Sequence, residues 1–277
     1  MTMQPTERAN FWRLPHFGDM ELLRATYVTH RFPLHFHEEY VVGIIERNGY
    51  EFHYEGSKQQ IKHGEIVLIN PGEIHSGYPT DDAGWSYRTF YPGITLMRQI
   101  AREITGTEWT TPFFNSPVLR DAQLAGQLRV LHRAMEHHAP RLMQDILLRD
   151  ALALLISRYA HDRKNPLYIS GDNRAVVQAR EYLHAHFAED VALEDIAKAV
   201  ALSPYHLSRL FKRHTGLPPH KYLIQIRLHR AKTLLASGMP IADVAVSVGF
   251  ADQSHLTKWF KRVHGVPPGQ FTIGTNE

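Results

Sequence analysis

One stretch of the chain is written twice, and this duplication constrains the fold more than anything else in the sequence. Residues Leu193 to Tyr222 (LEDIAKAVALSPYHLSRLFKRHTGLPPHKY) align with Ile241 to Phe271 (IADVAVSVGFADQSHLTKWFKRVHGVPPGQF). Leu193, Ile196, Ala197, Val200 and Leu202 match Ile241, Val244, Ala245, Val248 and Phe250 at an offset of 48. One extra turn residue then makes the offset 49, and His206, Leu207, Phe211, Lys212, Arg213, Gly216, Pro218 and Pro219 match His255, Leu256, Phe260, Lys261, Arg262, Gly265, Pro267 and Pro268. Two copies are too few for a solenoid, which needs at least three stacked repeats to bury a core. The pattern is a duplicated module.

Each copy has the grammar of two short helices joined by a tight turn. Ile196, Ala197 and Val200 form an apolar i, i+1, i+4 stripe beside the charges of Glu194, Asp195 and Lys198, as an amphipathic helix requires. Ser203 follows as N-cap, with Pro204 at the first helical position, where its missing N–H leaves no bond unmade. In the second helix Leu207, Leu210 and Phe211 are expected inside. Tyr205, Ser208, Arg209 and Lys212, spaced i, i+3, i+4 and i+7, are expected outside. Gly216 ends the helix, with Pro218 just beyond. In the other copy Asp252 is the N-cap, Leu256 and Phe260 face inward, and Ser254, Lys258 and Lys261 share the outer face. A support helix, a turn and a helix with a cationic outer face make a helix-turn-helix, whose outer helix fits the major groove of double-stranded DNA. One copy alone would also suit a small bundle with solvated charges; two copies that keep the cationic face favour nucleic acid.

HLSRLFKRHTGLPPHKY, GFADQSHLTKWFKRVHGVPP and their separation resemble the DNA-binding domain of AraC-type transcriptional regulators, over roughly the last 100 residues. The resemblance implies two helix-turn-helix units, 193–214 and 241–263, within a domain of residues 173–277. One long helix, Pro219 to about Ser237, bridges them so that they read adjacent major-groove segments. It implies base or backbone contacts for Tyr205, Ser208 and Arg209 in the first recognition helix and for Gln253, Ser254, His255 and Lys258 in the second. Lys212 and Lys261 extend the two cationic faces. The family usually carries an aromatic where Leu256 stands, a departure that leaves packing intact.

Charge supports this division. From residue 173 to the end, 13 Lys and Arg face 8 Asp and Glu, a net of +5, whereas residues 1–172 carry a net of −2. The cationic surplus expected of a nucleic-acid partner is confined to the C-terminal part. A chain of 277 residues with 43% hydrophobic content suggests two domains with real cores. The absence of cysteine excludes disulfides, thiolate metal sites and a cysteine nucleophile, and suits a reducing cytosol. The first residues have no apolar core of a signal peptide, and the longest aliphatic run is ALALLI, Ala151 to Ile156, so no membrane partner is expected.

Residues 1–30 read as a mixed-polarity arm whose Phe11, Trp12, Leu14 and Phe17 pack on the segment after residue 30. From Arg31 to Pro92 the pattern is short strands: Tyr40 to Ile45, Tyr50 to Gly56, Glu65 to Asn70 and Trp85 to Pro92. Asn48-Gly49, Gly56, Gly64 and Pro71-Gly72 punctuate them, which predicts a small β-barrel or jelly roll. His35 and His37, two apart on a strand, would face the same way into it, and Pro71-Gly72-Glu73-Ile74-His75 lies some strands later. This resembles the cupin fold, specifically the sensory domain attached to many AraC-type regulators, here residues 1–115. In metal-binding cupins the first motif's two His, a following Glu and the second motif's His hold the ion. His35, His37 and His75 match the three imidazoles, but the Glu position falls near Val41 or Val42, with Glu38 and Glu39 displaced. The implied effector pocket comprises His35, His37, Tyr40 and His75. The cluster is either a site for Zn, Fe or Mn or a pocket whose imidazoles hydrogen-bond an organic effector. His30, His53 and His63 are expected at the surface or at strand edges.

From Gly93 the chain reads as helical: Gly93 to Ile104, then a loop from Thr110 to Pro117, then Leu124, Leu128, Leu131 and Met135 at helical spacing. Pro140 opens a further helix with Met143, Leu147, Ala151, Leu154 and Leu155 expected on its inner face. This hairpin, residues 116–160, either covers the barrel or forms a dimer interface, which the resemblance favours. Residues 161–172 read as a linker, and Asn173 as the cap of a helix with Val176, Ala179, Leu183 and Phe187 inside. The expected fold class is α+β multidomain: a cupin-like β-barrel with a helical hairpin, then an all-α double helix-turn-helix domain. The expected protein is a cytoplasmic, effector-responsive transcription regulator. It acts as a homodimer, binds double-stranded DNA and a small-molecule effector, engages RNA polymerase, and requires neither catalysis nor a cofactor. The rival is a metal-dependent cupin enzyme fused to a DNA-binding domain, against which the missing Glu argues.

Overall fold

The computed structural model describes residues 6–54, 56–109, 111–162 and 174–273. These fall into two compact units, residues 6–162 and residues 174–273. Among the described residues no helix is long and apolar enough to cross a membrane.

The first unit begins with nine strands: β1 (Arg8–Leu14), β2 (Met20–Tyr27), β3 (Phe32–His35), β4 (Val41–Arg47), β5 (Tyr50–Tyr54), β6 (Ser57–Ile61), β7 (Ile66–Ile69), β8 (His75–Pro79) and β9 (Trp85–Tyr91). After them come α1 (Ile94–Thr105), β10 (Pro112–Phe114), β11 (Val118–Leu119), α2 (Ala122–Glu136), α3 (Arg141–Tyr159) and β12 (Ala160–Asp162). The strands build two large antiparallel sheets, one in the order β1-β2-β9-β4-β7-β11 and one in the order β3-β8-β5-β6, with β10 and β12 forming a separate two-stranded one. Side-chain alternation makes the larger sheet a wall one residue thick. On one face Val41, Ile45, Val67 and Ile69 meet Phe52, Tyr54 and Ile61 of the smaller sheet. On the other, Leu22, Val42, Ile44, Ile66 and Phe90 pack against Met97, Leu124, Leu128, Leu131 and Leu155 of the helices. Each of these side chains is buried, and each contributes about 1.5–3 kcal/mol through removal of apolar surface from water.

Several expectations are corrected here. Residues 8–27 are a full antiparallel hairpin rather than an arm; β1 pairs β2 over seven residues, from Arg8↔Thr26 to Leu14↔Met20, and β2 pairs β9. The charged Arg8 and Arg13 mask the strand pattern, although Arg13 is buried. The stretch after Thr110 contains two short strands: β11 pairs β7, and β10 pairs β12. Asn70 holds β10 in place, its Nδ2 donating to Phe114 O (2.9 Å) while Phe114 N donates to Asn70 Oδ1 (3.0 Å). On α3 the inner face is rotated. Gln144, Leu148, Ala151, Leu152, Leu155 and Ile156 are buried, whereas Met143 is exposed and Leu147 and Leu154 only half-buried. Apolar residues lie on both sides of this helix, so periodicity alone could not choose the buried stripe.

The second unit is all helical: α4 (Arg174–Ala185), α5 (Leu193–Ala199), α6 (Pro204–Thr215), α7 (Pro219–Ala236), α8 (Ile241–Ser247), α9 (Gln253–His264) and α10 (Pro268–Ile273). Val176, Ala179 and Leu183 form the inner face of α4, while Phe187 lies beyond its end, half-buried. The expected cap Asn173 and most of the expected linker lie outside the described residues; its first two residues, His161 and Asp162, belong to β12. The 18 residues of α7 span about 27 Å. This helix is buried on nearly all sides, with Tyr222, Leu223, Ile226, Leu228, Ala231 and Leu235 inside, and it packs on α4, α6, α8, α9 and α10. Leu207 and Phe211 anchor α6, and Leu256, Phe260 and Val263 anchor α9. Leu210, expected inside, is half-buried and borders a surface cleft with Tyr205, His206, Arg209 and Arg213.

Candidate effector pocket and nucleic-acid interface

Between the two sheets lies a partly open cavity of about 70 Å³, room for about two waters or a small ligand fragment. Strand alternation selects its lining: Trp85, Tyr87, Thr89 and Tyr91 from β9, Val41, Gly43 and Ile45 from β4, and Tyr50 and Phe52 from β5. His35, His37 and His75 all line it and are all buried. Register brings the first and third together, because β3 pairs β8 with His35 opposite His75. His37 arrives differently from the alternation expected: β3 ends at His35, and His37 is fixed in the following loop by Gly72 N–H donating to its carbonyl (2.8 Å). One ring nitrogen from each of the three lies within 4.8 Å of the others. The ring centroids are 4.2 Å apart for His35–His75, 4.9 Å for His35–His37 and 5.2 Å for His37–His75.

Backbone partners fix the position of the ring proton on two of the three histidines. His35 Nδ1–H donates to Pro33 O (2.7 Å) and His75 Nδ1–H to Glu73 O (3.1 Å). Carbonyls only accept, so in the neutral ring Nε2 is left as the lone-pair atom. Burial, and then the neighbouring His35, hold His75 well below the usual histidine range. Burial pushes the Tyr50 and Tyr91 phenols up, and they stay neutral. Among the described residues, no Asp, Glu, Lys or Arg lines the cavity. Val41, near the position where a metal-binding cupin has Glu, is one of its apolar walls. The three imidazoles nevertheless fit a divalent ion: one ring nitrogen from each converges, carbonyls fix the tautomers of His35 and His75, and there is room for a further ligand.

Tyr40 does not belong to this pocket. It lies just before β4, fully buried among the core residues under the helices, where its hydroxyl donates to Pro112 O and its ring meets Phe114 edge-on at 5.9 Å. Its place on the helix side of the wall was hidden because a tyrosine close to two histidines in sequence suggests a shared pocket.

In the second unit the recognition helices are capped as their sequence requires. Ser203 Oγ accepts from His206 N (3.3 Å) and Asp252 Oδ1 from His255 N (2.7 Å); Gly216 and Gly265, at φ 75° and 77°, end the two helices. Tyr205, Arg209 and Lys212 are exposed on α6, and Gln253, Ser254, His255, Lys258 and Lys261 on α9. Arg209 is pre-positioned, with its Nη1 donating to Tyr205 OH (2.9 Å) and its guanidinium over that ring. Ser208 departs from expectation: it is half-buried and borders a groove formed with Leu183, Ile196 and Leu223. Sequence reasoning missed His206 and Arg213 beside Arg209, and Lys221 and Arg262 around Trp259. The i+4 spacing of Trp259 from His255 was the available signal for the second group.

A chamber between two β-sheets, followed by a duplicated helix-turn-helix with cationic outer helices, defines a ligand-binding transcription regulator. Residues 17–155 match the family model described as AraC-like ligand binding domain, and residues 196–272 match that described as helix-turn-helix domain. The uncharacterized HTH-type transcriptional regulator YbfI of Bacillus subtilis is 33% identical, covering 87% of this chain and 87% of that protein. The arabinose operon regulatory protein of Escherichia coli is 29% identical over 85% and 78% of the respective chains. The crystal structure of unsaturated fatty acid bound ToxT from Vibrio cholerae shares the fold at 15% identity, with a TM-score of 0.57 over 99% of this chain and 97% of that one. The chain belongs to the AraC family of DNA-binding transcription regulators, with an N-terminal cupin-like ligand-binding domain and a C-terminal helix-turn-helix region.

Proposed function

We propose that the cavity containing His35, His37 and His75 is the effector site and that its occupation tunes operator binding by the second unit. The observation that carries this is the convergence of three buried imidazoles on one cavity with no charged side chain in its lining. Its uncharged lining would strip water from an anion with no cation to replace it. Small neutral molecules rich in hydrogen-bond donors suit it, as does a cation held by the Nε2 lone pairs. A ligand acts here by binding one arrangement of the protein more tightly than another, so the coupling is on the order of 1–3 kcal/mol. Function is binding and switching, with no chemistry on the ligand.

The regulator works as a homodimer in the cytoplasm, with RNA polymerase as a further partner. Val130 on α2 and Leu142, Met143 and Ile146 on α3, all exposed apolar residues, support the helical hairpin as the dimer face. Tyr205, Arg209, Lys212, Gln253, Ser254, His255, Lys258 and Lys261 form the DNA-contacting set.

The three-histidine cluster also favours a second reading, in which a divalent ion completes the pocket. His35, His37 and His75 would hold it, and it would supply Lewis acidity toward an oxygen of the effector. Metal analysis of purified protein separates the readings, and a stoichiometric redox metal would reopen the enzyme alternative. The test of the effector site begins with genome-wide recovery of bound DNA. Operator affinity of the full chain is then measured with and without small polyols, amines and divalent salts. An active compound should shift wild-type affinity about 5- to 100-fold, and His75→Ala should abolish the shift without loss of basal binding. A full response in His35→Ala, His37→Ala and His75→Ala, each folded, would place the effector elsewhere.

A further inference from the structure

The second recognition helix carries a side-chain pair with no counterpart in the first. Trp259 stands at i+4 from His255 on α9, and its indole Nε1–H donates to His255 Nε2 over 3.1 Å. At the aligned positions of α6 the chain has His206 and Leu210, which cannot form such a bond. The indole is itself held in place: Lys221 Nζ, from α7, lies 4.3 Å from its ring centroid and Arg262 Cζ 5.3 Å, both within cation–π range. The imidazole also meets Phe250, in the preceding turn, edge-on at 5.2 Å. His255 remains exposed, three residues after the N-cap Asp252. The N-terminal residues of a recognition helix are those that reach base edges.

Indole nitrogen only donates, so an imidazole that accepts from it on Nε2 must carry its neutral-state proton on Nδ1. We propose that Trp259 is a positioning residue that locks His255 in the Nδ1–H tautomer, so that the second unit reads a base-edge acceptor and rejects the amino donor of cytosine. The acceptors available to it in the major groove are purine N7, guanine O6 and thymine O4; the N4 amino group of cytosine only donates. An imidazole free to exchange tautomers would serve either kind of partner, and discrimination at that base would be lost. The inference rests on the reading of α9 as a base-contacting helix.

Two measurements on the full-length protein test it. Long-range 1H–15N correlation on histidine-labelled protein, at a pH where His255 is neutral, should show Nδ1 protonated and Nε2 bare. Trp259→Phe, which keeps an aromatic ring but removes the donor, should give a mixture rich in the Nε2–H form. Selection from randomised duplexes should show one position where wild type depletes cytosine about tenfold. Both His255→Ala and Trp259→Phe should lose that depletion, with Trp259→Phe keeping total affinity within about threefold. A wild-type His255 protonated on Nε2, or a Trp259→Phe variant that keeps both tautomer and cytosine depletion, overturns the proposal. If His255→Ala leaves every base preference unchanged while the tautomer is as expected, the base-reading role of His255 fails and the specificity claim fails with it.

Discussion

At the residue scale, two side chains show how local geometry sets function and stability. Arg209 is exposed, yet Tyr205 holds it by a hydrogen bond and a ring contact, so little rotamer freedom remains to be lost on binding. Arg209→Ala should weaken cognate binding by about 1–3 kcal/mol if the contact is to a base. Affinities on cognate and scrambled duplexes at fixed salt decide this, since an equal loss on both would mean a phosphate contact. His132 is fully buried on α2, where its Nδ1 accepts from Arg88 Nη1 (2.9 Å). Burial, followed by the Arg88 charge, pushes it down to about 3. Below pH ~6.5 the unfolded chain therefore binds a proton that the folded chain refuses, and stability falls by about 1.4 kcal/mol per pH unit from this residue. Urea titrations at pH 7.5 and 5.0 should show about 2 kcal/mol of loss in wild type that His132→Gln lacks. The same pH dependence in both proteins would show that His132 does not contribute.

At the scale of elements, the duplicated module is copied even in its turns. Leu202 N donates to Ala197 O (3.0 Å) and Ala201 N to Lys198 O (3.3 Å); Phe250 N to Ala245 O (2.9 Å) and Gly249 N to Val246 O (3.1 Å) repeat them. Each turn needs one left-handed residue to close this helix-ending motif, and the copies fill it differently, with Ala201 at φ 54° and Gly249 at φ 82°. Gly249 has no room for change, because a Cβ there would lie 2.7 Å from Ala188 O. Gly249→Ala should destabilise the second unit by about 2–3 kcal/mol. Ala201→Gly should be neutral or stabilising by up to about 1 kcal/mol, as relief of the left-handed strain outweighs glycine's added freedom. Thermal unfolding of both variants is the check, and equal shifts for the two would contradict the argument. These turns aim α6 and α9, so the Gly249 change should also weaken DNA binding.

At the scale of the whole molecule, the apolar residues left outside the first unit's core bear on assembly. Leu142 is 71% exposed and Ile146 51%, one turn apart on α3, with Val130 of α2 also 51% exposed. Burying such a stripe against a second copy would remove apolar surface from water at roughly 25 cal/mol per Å². The double variant Leu142→Glu, Ile146→Glu should convert a dimer to a monomer in light scattering at micromolar concentration. It should leave the fold intact, because neither residue belongs to the core. A wild type that is already monomeric under these conditions would remove the helical hairpin as the dimer face.

The duplicated helices, their caps and their anchoring residues were legible in the sequence because local spacing determines them: Ser203, Asp252, Gly216 and Gly265 act on bonds within a few residues. So were four central strands, whose alternation and turn residues are also local; the three histidines were legible as a candidate set, but the β3–β8 register and the loop that holds His37 bring them together. What tertiary structure alone decided depends on pairing between distant segments. The β1–β2 hairpin exists because β9 offers an edge to β2, and β10 exists because Asn70 satisfies its backbone. Tyr40 lies on the helix side of the wall, while the next residue, Val41, lines the cavity. The inner stripe of α3 was decided by what covers it, since apolar residues on more than one side of the helix satisfy periodicity equally. Sequence alone determines which segments become helices or strands and which residues are able to bind; only packing determines which face is buried and what meets across the cavity.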